Sequence, residues 1–581
     1  MTQNLYHNWS VPFMKSLYAS GIQHVVISPG SRSTPLALAA LSLPQLQCHV
    51  VVDERSASFF ALGQIRATGL ATALICTSGS AGAHYFPAII EASLSHLPLV
   101  VITADRPWEL QQCGANQTTC QQNLYGAHVK NFFELGETIE INGNPNNAQH
   151  AIRVGAQAVY TAMAPARGPV HINARCRKPL DPTRWPLDSQ TPTGNIPNIS
   201  PPTQLLSDEA VNTIVNILHT NSRGIIVCGP GPMTGENPSM RDALCKFAAS
   251  TGFPILAELA SGVRGTDSAF VQHASSYFSC VDAGLLMPEL IVEIHRPLTV
   301  SSYEQFVSHH PEIQRLVISN DRFVDFTASA SAVFVGDISD ALQRANRLLQ
   351  PISRTDWKDQ FRFFDAVATR EMIAILKSNP DCDASMLHET LLCLERDNVL
   401  CLGNSLIVRD AELFPSSPAC KKILHQRGAS GIDGLISAAA GTASVEKKGV
   451  VLLLGDVSAL HDLGGFALLH SVTSPLVVLI INNNGGQIFR QLPLGRISDI
   501  DDILSSGFVI PGTPQFKGIC DMFNIHYTCT SNREHIHQLL QDGLRRHGAT
   551  VIELSTNTCS TNYRQEYIQA LRQKLAQEKP A

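Results

Sequence analysis

Gly455-Asp456-Val457-Ser458 and, one apolar stretch later, Asn482-Asn483-Asn484-Gly485-Gly486-Gln487-Ile488-Phe489 decide how this 581-residue chain is read. Each cluster follows an apolar run, residues 449–454 for the first and 475–481 for the second. Both therefore sit at the carboxyl ends of buried strands, where open α/β sheets bind ligands. The residue types specify the ligand. Asp456 offers a carboxylate, Asn483 an amide oxygen and Gly485 a backbone carbonyl, the hard oxygens that octahedral Mg2+ takes, with Mn2+ as an alternative. Gly455, Ser458, Gly486, Gln487 and Ile488 surround them, and the glycines let the backbone close on phosphate oxygens. Turn chemistry accounts for either loop singly. Two such loops, each after a strand and separated by one helix, read as a diphosphate–Mg2+ site.

Outward from these loops the same alternation recurs. Short β-branched runs at residues 25–28, 50–52, 73–77 and 99–103 alternate with helical stretches, the pattern of βαβ units and a parallel sheet. A polar, proline-rich segment, 181–202, reads as a linker. A second set follows, with strands near 224–228, 255–258, 290–294, 316–319 and 332–335, closing in a helix over 339–349. After a helical connection the third set begins at Val399 and continues through 450–454, 476–481 and 550–554. The expected architecture is α/β, three successive doubly wound parallel-sheet domains over residues 1–185, 200–355 and 380–581.

Composition excludes several function classes. A formal net charge of −6 with no long basic run argues against a nucleic-acid track or a polybasic membrane anchor, so anionic ligands must be held by local arginines. No apolar run approaches the roughly 20 residues of a spanning helix, and the first ten residues lack a leader's charge pattern. A soluble, cytoplasmic protein is expected. The 15 cysteines include no Cys-x-x-Cys pair, and Cys76, Cys228 and Cys401 lie in or beside apolar strands, which points to buried reduced thiols.

A diphosphate–Mg2+ site of this kind suits thiamine diphosphate, whose activation needs a carboxyl group on the aminopyrimidine ring. Glu54, in Val51-Val52-Asp53-Glu54-Arg55-Ser56, is an acid after a strand and fits. A helix N-terminal carboxylate is its plain alternative, and Asp53 beside it is a second candidate.

Further motifs accompany it: Ser28-Pro29-Gly30-Ser31-Arg32-Ser33-Thr34-Pro35, Thr77-Ser78-Gly79, Ala104-Asp105-Arg106-Pro107, Cys113-Gly114-Ala115-Asn116-Gln117, Gly403-Asn404-Ser405 with Arg409, and Arg427-Gly428-Ala429-Ser430-Gly431-Ile432-Asp433-Gly434. With the two opening loops these resemble the MenD family, the 2-succinyl-5-enolpyruvyl-6-hydroxy-3-cyclohexene-1-carboxylate synthases of menaquinone biosynthesis. The resemblance covers nearly the whole chain and is thinnest in the middle. It implies the thiamine diphosphate-binding fold, with a pyrimidine-binding first domain and a diphosphate-binding third. It also implies decarboxylation of 2-oxoglutarate and 1,4-addition of the succinyl-semialdehyde carbanion to isochorismate.

By the same resemblance Glu54 activates the cofactor, and Ser405, Arg409 and Arg427 hold the 2-oxoglutarate-derived carboxylates. Ser31, Arg32, Arg106, Asn116 and Gln117 hold isochorismate, with Gln117 also assigned to catalysis. Arginine suits dicarboxylates because its planar fork matches a carboxylate. Ser31 as an N-cap and the arginines in solvated ion pairs are the plain alternatives. The resemblance also makes Ile432 the residue that props the cofactor into a V shape. Phe489 and Leu492, three apart, form an apolar wall or part of the core, Gln487 orients the cofactor loop, and His461 is a lone histidine near the diphosphate loop. The chain departs from the family pattern in the middle domain. His295-Arg296-Pro297-Leu298-Thr299-Val300 carries no Lys or Arg after Thr299, leaving Arg296 as the candidate there. No complete dinucleotide fingerprint follows, so no nucleotide is expected in that domain.

A homodimer or homotetramer is expected, since in this superfamily the activating acid and the diphosphate loops usually meet between subunits. Another thiamine diphosphate-dependent decarboxylase or acetohydroxyacid-synthase-like ligase, and a non-enzymatic relative, remain as alternatives. The first would share Glu54, Asp456 and Asn483 without needing Arg32 or Arg106. The second has no reason to keep them.

Overall fold

The computed structural model describes residues 7–578, apart from 136–145, 183–194, 232–237, 266, 283–284, 286, 321, 353, 421, 513–514 and 557–561. Most of the expected linker, 181–202, lies outside the described residues. Three six-stranded sheets are present, and every strand pairing in them is parallel.

The first sheet comprises β1 (His24–Ile27), β2 (Gln47–Val50), β3 (Thr72–Cys76), β4 (Leu99–Asp105), β5 (Phe132–Leu135) and β6 (Val170–Arg175), in the order β2-β1-β3-β4-β6-β5. The second comprises β7 (Gly224–Cys228), β8 (Ile255–Ala257), β9 (Phe270–Val271), β10 (Leu290–Ile294), β11 (Gln314–Ser319) and β12 (Ala332–Val335), in the order β12-β11-β10-β7-β8-β9. The third comprises β13 (Val399–Leu402), β14 (Lys422–His425), β15 (Val450–Gly455), β16 (Leu476–Asn482), β17 (His526–Thr530) and β18 (Ala549–Ser555), in the order β14-β13-β15-β16-β18-β17. The central strands are buried almost end to end, as helices on both faces require.

Each order reverses beside its first strand: between β1 and β3, between β7 and β10, and between β13 and β15. At such a reversal the connections leave in opposite directions, and a crevice opens beyond the carboxyl ends of the two strands. The sequence motifs fall at these crevices.

By contacts the chain forms two compact units. One holds Met1–Pro202 with Gln426–Lys447 and His461–Ser474; the other holds Thr203–His425, Lys448–Leu460 and Pro475–Ala581. The segment after the Arg427 loop therefore packs with the first sheet's helices. Helix Leu435–Ala443 is almost all small residues and crosses helix Glu54–Thr68 at two glycines. A Cβ on Gly63 would overlap the Ala438 carbonyl, and one on Gly441 the Phe60 carbonyl. Only glycine permits backbones this close. Among the described residues no helix is long and apolar enough to cross a membrane, and every described cysteine is free.

Candidate active site

At the third sheet's crevice the loops after β13, β15 and β16 line a cleft. Asn404, Ser405, Gly455, Asp456, Ser458, Asn483, Gly485, Gly486, Gln487 and Ile488 all face it. Asp456 begins a short helix, Asp456–His461, and is 2 % exposed. Its Oδ2 accepts the Gly485 N–H at 2.7 Å and its Oδ1 the Val457 N–H at 2.9 Å. One carboxylate thus ties the two loops together, and with about four lone-pair sites it retains capacity for a cation.

The second loop turns through Asn484 (φ 61°) and Gly485 (φ 110°), where a Cβ would overlap the Val509 carbonyl. That requires glycine at 485. Gln487 holds the turn from within: its Nε2 donates to the carbonyls of Asn483 (3.1 Å) and Asn484 (3.2 Å). Its Oε1 is buried without a hydrogen-bond partner, an acceptor in the wall of the cleft. Phe489 lies in the 3-10 turn Gln487–Gln491 and stacks near Phe508 at 5.5 Å, while Leu492, just beyond it, is 44 % exposed.

Ser405 ends the loop after β13 with φ 65° and ψ −127°, a strained conformation for a residue with a side chain. The Arg409 Nη1 donates to the Ser405 carbonyl at 2.8 Å, one turn along helix Leu406–Leu413. Sequence reasoning missed the floor of this cleft. Asp383 and Asp410 also line it, and both pair with the buried Arg564 of the last helix.

The first sheet's crevice gathers a different set. Asp53 caps helix Glu54–Thr68, accepting from the Arg55 N–H (3.2 Å) and the Ser56 hydroxyl (2.7 Å). Capping occupies Asp53, and the half-buried Glu54 is the acid left with no donor from the described residues. Its charge, added to burial, helps push the Cys76 thiol and the Tyr85 phenol upward.

The loops after β1, β3 and β4 converge beside it. The Arg32 N–H meets the Thr77 hydroxyl (3.3 Å), and its Nη1 donates to the Cys176 carbonyl (2.6 Å). Arg106 forks over the Asn116 carbonyl (3.2 and 2.9 Å) and donates to the Ser78 hydroxyl (3.0 Å). Gln117 reaches the Ser78 carbonyl (3.0 Å) from a backbone at φ 54°. Arg106, Asn116 and Gln117 thus meet around Ser78, and Ser31 stands exposed on its own 3-10 turn without capping a helix.

In the same unit the Arg427 loop is anchored by Glu91, another residue the sequence did not flag. Its carboxylate accepts the N–H groups of Gly428 (3.1 Å) and Ala429 (2.7 Å) together with the Arg66 guanidinium (2.6 Å). The half-buried Ile432 follows in this loop. His461 lies 4.0 Å from the Asp433 carboxylate, and its carbonyl accepts from Arg55.

In the middle sheet Gly229 packs against the loop after β10, where a Cβ would overlap the carbonyls of Arg296 and Pro297. His295 adopts φ 69° there and is buried, and Thr299 is held through its N–H and hydroxyl by Glu258.

A family model described as thiamine pyrophosphate enzyme, N-terminal TPP binding domain, matches residues 12–127. The 2-succinyl-5-enolpyruvyl-6-hydroxy-3-cyclohexene-1-carboxylate synthase of Sorangium cellulosum is 36% identical over 95% of this chain and 92% of its own. That of Geobacillus kaustophilus is 33% identical over 94% and 95%. Among solved structures, benzoylformate decarboxylase from Polynucleobacter necessarius superposes with a TM-score of 0.71 at 15% identity, covering 94% of this chain and 98% of that one, a likeness of fold. The chain belongs to the thiamine diphosphate-dependent 2-succinyl-5-enolpyruvyl-6-hydroxy-3-cyclohexene-1-carboxylate synthase family.

Proposed function

We propose that this enzyme decarboxylates 2-oxoglutarate and adds the resulting four-carbon unit to isochorismate, giving 2-succinyl-5-enolpyruvyl-6-hydroxy-3-cyclohexene-1-carboxylate and CO2 in menaquinone biosynthesis. The observation that carries the reading is the cleft where Asp456, Asn483 and Gly485 converge at the third sheet's reversal. The donor set fits a hydrated Mg2+ on a diphosphate, with Mn2+ as a substitute. It is all oxygen, it is held by backbone hydrogen bonds, and the partnerless Gln487 oxygen offers one more acceptor.

Thiamine diphosphate, when bound, supplies the nucleophilic carbon and the electron sink that decarboxylation of a 2-oxo acid needs. The chain's residues do the rest. Glu54 would hold the aminopyrimidine ring and is the acid that would keep or give up a proton there. Gly455, Ser458, Gly486 and Ile488 would line the diphosphate, and Ile432 would support the bound cofactor. Ser405, Arg409 and Arg427 take the donor's carboxylates. Ser31, Arg32, Arg106, Asn116 and Gln117 take the acceptor's, while Phe489 and Leu492 offer it an apolar wall. Arg106 and Arg409 now rest on backbone carbonyls, which a dicarboxylate outcompetes by adding charge to the hydrogen bond.

A homodimer is the minimum assembly and a homotetramer its natural extension. Exposed apolar side chains support this, Val52 at 81 %, Ile497 at 55 %, Ile503 at 63 % and Ile510 at 65 %. The cytoplasm, the domain limits 1–185, 200–355 and 380–581, and a role for Arg296 toward isochorismate complete the reading.

Loss of isochorismate absorbance tests it, with thiamine diphosphate, Mg2+ and 2-oxoglutarate each omitted in turn. The expected outcome is loss that needs all of them. Isochorismate left untouched while a 2-oxo acid still releases CO2 would replace the synthase with a decarboxylase or another ligase.

A further inference from the structure

Beneath the third sheet's cleft lies a buried charged network that the reaction as described does not use. Asp383 opens helix Asp383–Leu392 and is 6 % exposed. Its carboxylate accepts the Asn483 Nδ2 at 3.0 Å, the Arg564 Nη2 at 2.9 Å and the Tyr563 hydroxyl. Arg564, also 6 % exposed, pairs in addition with Asp410 through Nε at 2.7 Å and Nη2. With its amide oxygen turned toward Arg564, Gln491 accepts from Nε (3.2 Å) and Nη1 (3.1 Å).

A carboxylate only accepts hydrogen bonds, so the Asn483 amide must turn its nitrogen to Asp383 and its oxygen away. The oxygen is the atom a Mg2+ ion needs. Arg564 also links this amide to the helix carrying Arg409, through the adjacent Asp410, and to the turn carrying Phe489, through Gln491.

We propose that Asp383, clamped by Arg564 and Tyr563, is the positioning residue that sets Asn483 for metal binding, so that the last helix of the chain holds the metal loop in register. This rests on the metal-site reading given under Proposed function. Outer partners of metal ligands commonly change affinity about 10- to 100-fold. Asp383→Asn keeps size and shape but lets two amides face each other, so Asn483 is no longer compelled to present its oxygen.

The test is a Mn2+ titration followed by electron paramagnetic resonance, on full-length protein with saturating thiamine diphosphate. Wild type, Asp383→Asn, Tyr563→Phe and Asp456→Ala are compared, with circular dichroism reporting folding. Asp383→Asn is expected to weaken Mn2+ about 10-fold or more, with the 2-oxoglutarate dependence unchanged at saturating metal. Tyr563→Phe, which removes one hydroxyl from the clamp, should weaken it at least about two-fold. A folded Asp383→Asn with wild-type Mn2+ affinity overturns the proposal. If Asp383→Asn does not fold, wild-type affinity in Tyr563→Phe does the same. Asp456→Ala separates the two levels: loss of Mn2+ binding there with none in Asp383→Asn sinks this inference alone, whereas wild-type binding in Asp456→Ala sinks the metal-site reading with it.

Discussion

The first and third sheets run their strands in the same order, counted within each as 2-1-3-4-6-5, yet the loops beside their first strands carry different side chains. After β13, β15 and β16 the chain presents a carboxylate, an amide and glycine backbone, the surface proposed for a cation and its diphosphate. After β1, β3 and β4 it presents Arg32, Arg106 and a ring of serine and amide groups, the surface proposed for the acceptor's carboxylates. The middle sheet, ordered 3-2-1-4-5-6, reverses at the same place, beside its first strand, but there backbone meets backbone at Gly229 and Arg296. The topology supplies a crevice in every case, and the loop residues decide whether it is charged, and with which sign, or shut.

The strongest way to break this comparison is to neutralise Glu54, the acid at the first sheet's crevice that is not used as a helix cap. Glu54→Gln should lower turnover by about 100- to 10,000-fold, the range for a lost acid–base group, with folding and Mg2+-dependent cofactor retention intact. Steady-state rates beside cofactor retention on gel filtration measure both, and near-normal turnover would remove Glu54 from the chemistry. Next come the arginines. Arg409→Ala should raise the 2-oxoglutarate requirement about 10- to 100-fold, the worth of a charge-assisted pair of about 1.5 to 3 kcal/mol, and Arg106→Ala should do the same for isochorismate. If either variant shifted the other substrate instead, the division of labour between the crevices would be wrong.

The middle crevice gives a smaller and different effect. Gly229→Ala places a methyl group on two carbonyl oxygens, an overpacking expected to cost about 1 to 3 kcal/mol of stability with substrate and metal dependences unchanged. Thermal denaturation beside kinetics reads it. Weakened binding at unchanged stability would mean that this crevice takes a ligand after all.

Much of this was legible in the chain because parallel strands buried on both faces leave nearly continuous apolar runs. Residues 224–228, 290–294 and 332–335 fall on β7, β10 and β12 without displacement. β5 and β6 escaped for a physical reason. Arg175, 2 % exposed, pairs with Asp105 and Glu134, and Asn173 bonds to both acids, so the buried face there is charged and the run is interrupted. β14 and β17 are edge strands: β17 is polar and partly exposed, and β14 is four residues long with a single apolar pair, Ile423-Leu424. The apolar run 50–52 meets β2, Gln47–Val50, only at Val50: the strand is built from the more polar residues before it. In the site the loops could be read because their chemistry is local. Asp383 and Arg564 could not: the first bonds to Asn483 across 100 positions, and the second reaches Asp383 across 181.

The smallest expected effect separates the first sheet from the third by acid. His171 on β6 is fully buried, with the Tyr125 and Phe132 rings 4.7 and 5.2 Å from its own. Its Nε2 bonds to the Thr103 hydroxyl at 2.8 Å, and its Nδ1 is buried without a partner. The Thr103 hydroxyl already donates to Asn173, so it accepts from Nε2–H, and a second proton would fall on Nδ1, where no acceptor waits. Burial accordingly drives this imidazole down from 6.5 to about 3, and it drives His49 on β2 to about 4. The sign follows. The unfolded chain takes up protons below pH 6.5 that the folded sheet refuses, so this stability is complete above 6.5 and is lost as pH falls toward 3. At pH 5.5 the loss is about 1.4 kcal/mol for each such histidine. β15 and β16 contain no histidine, so acidification from pH 7 to 5.5 should loosen amide hydrogen exchange in β4 and β6 more than in β15 and β16. Equal protection in the two sheets at both pH values would place the acid-labile element elsewhere.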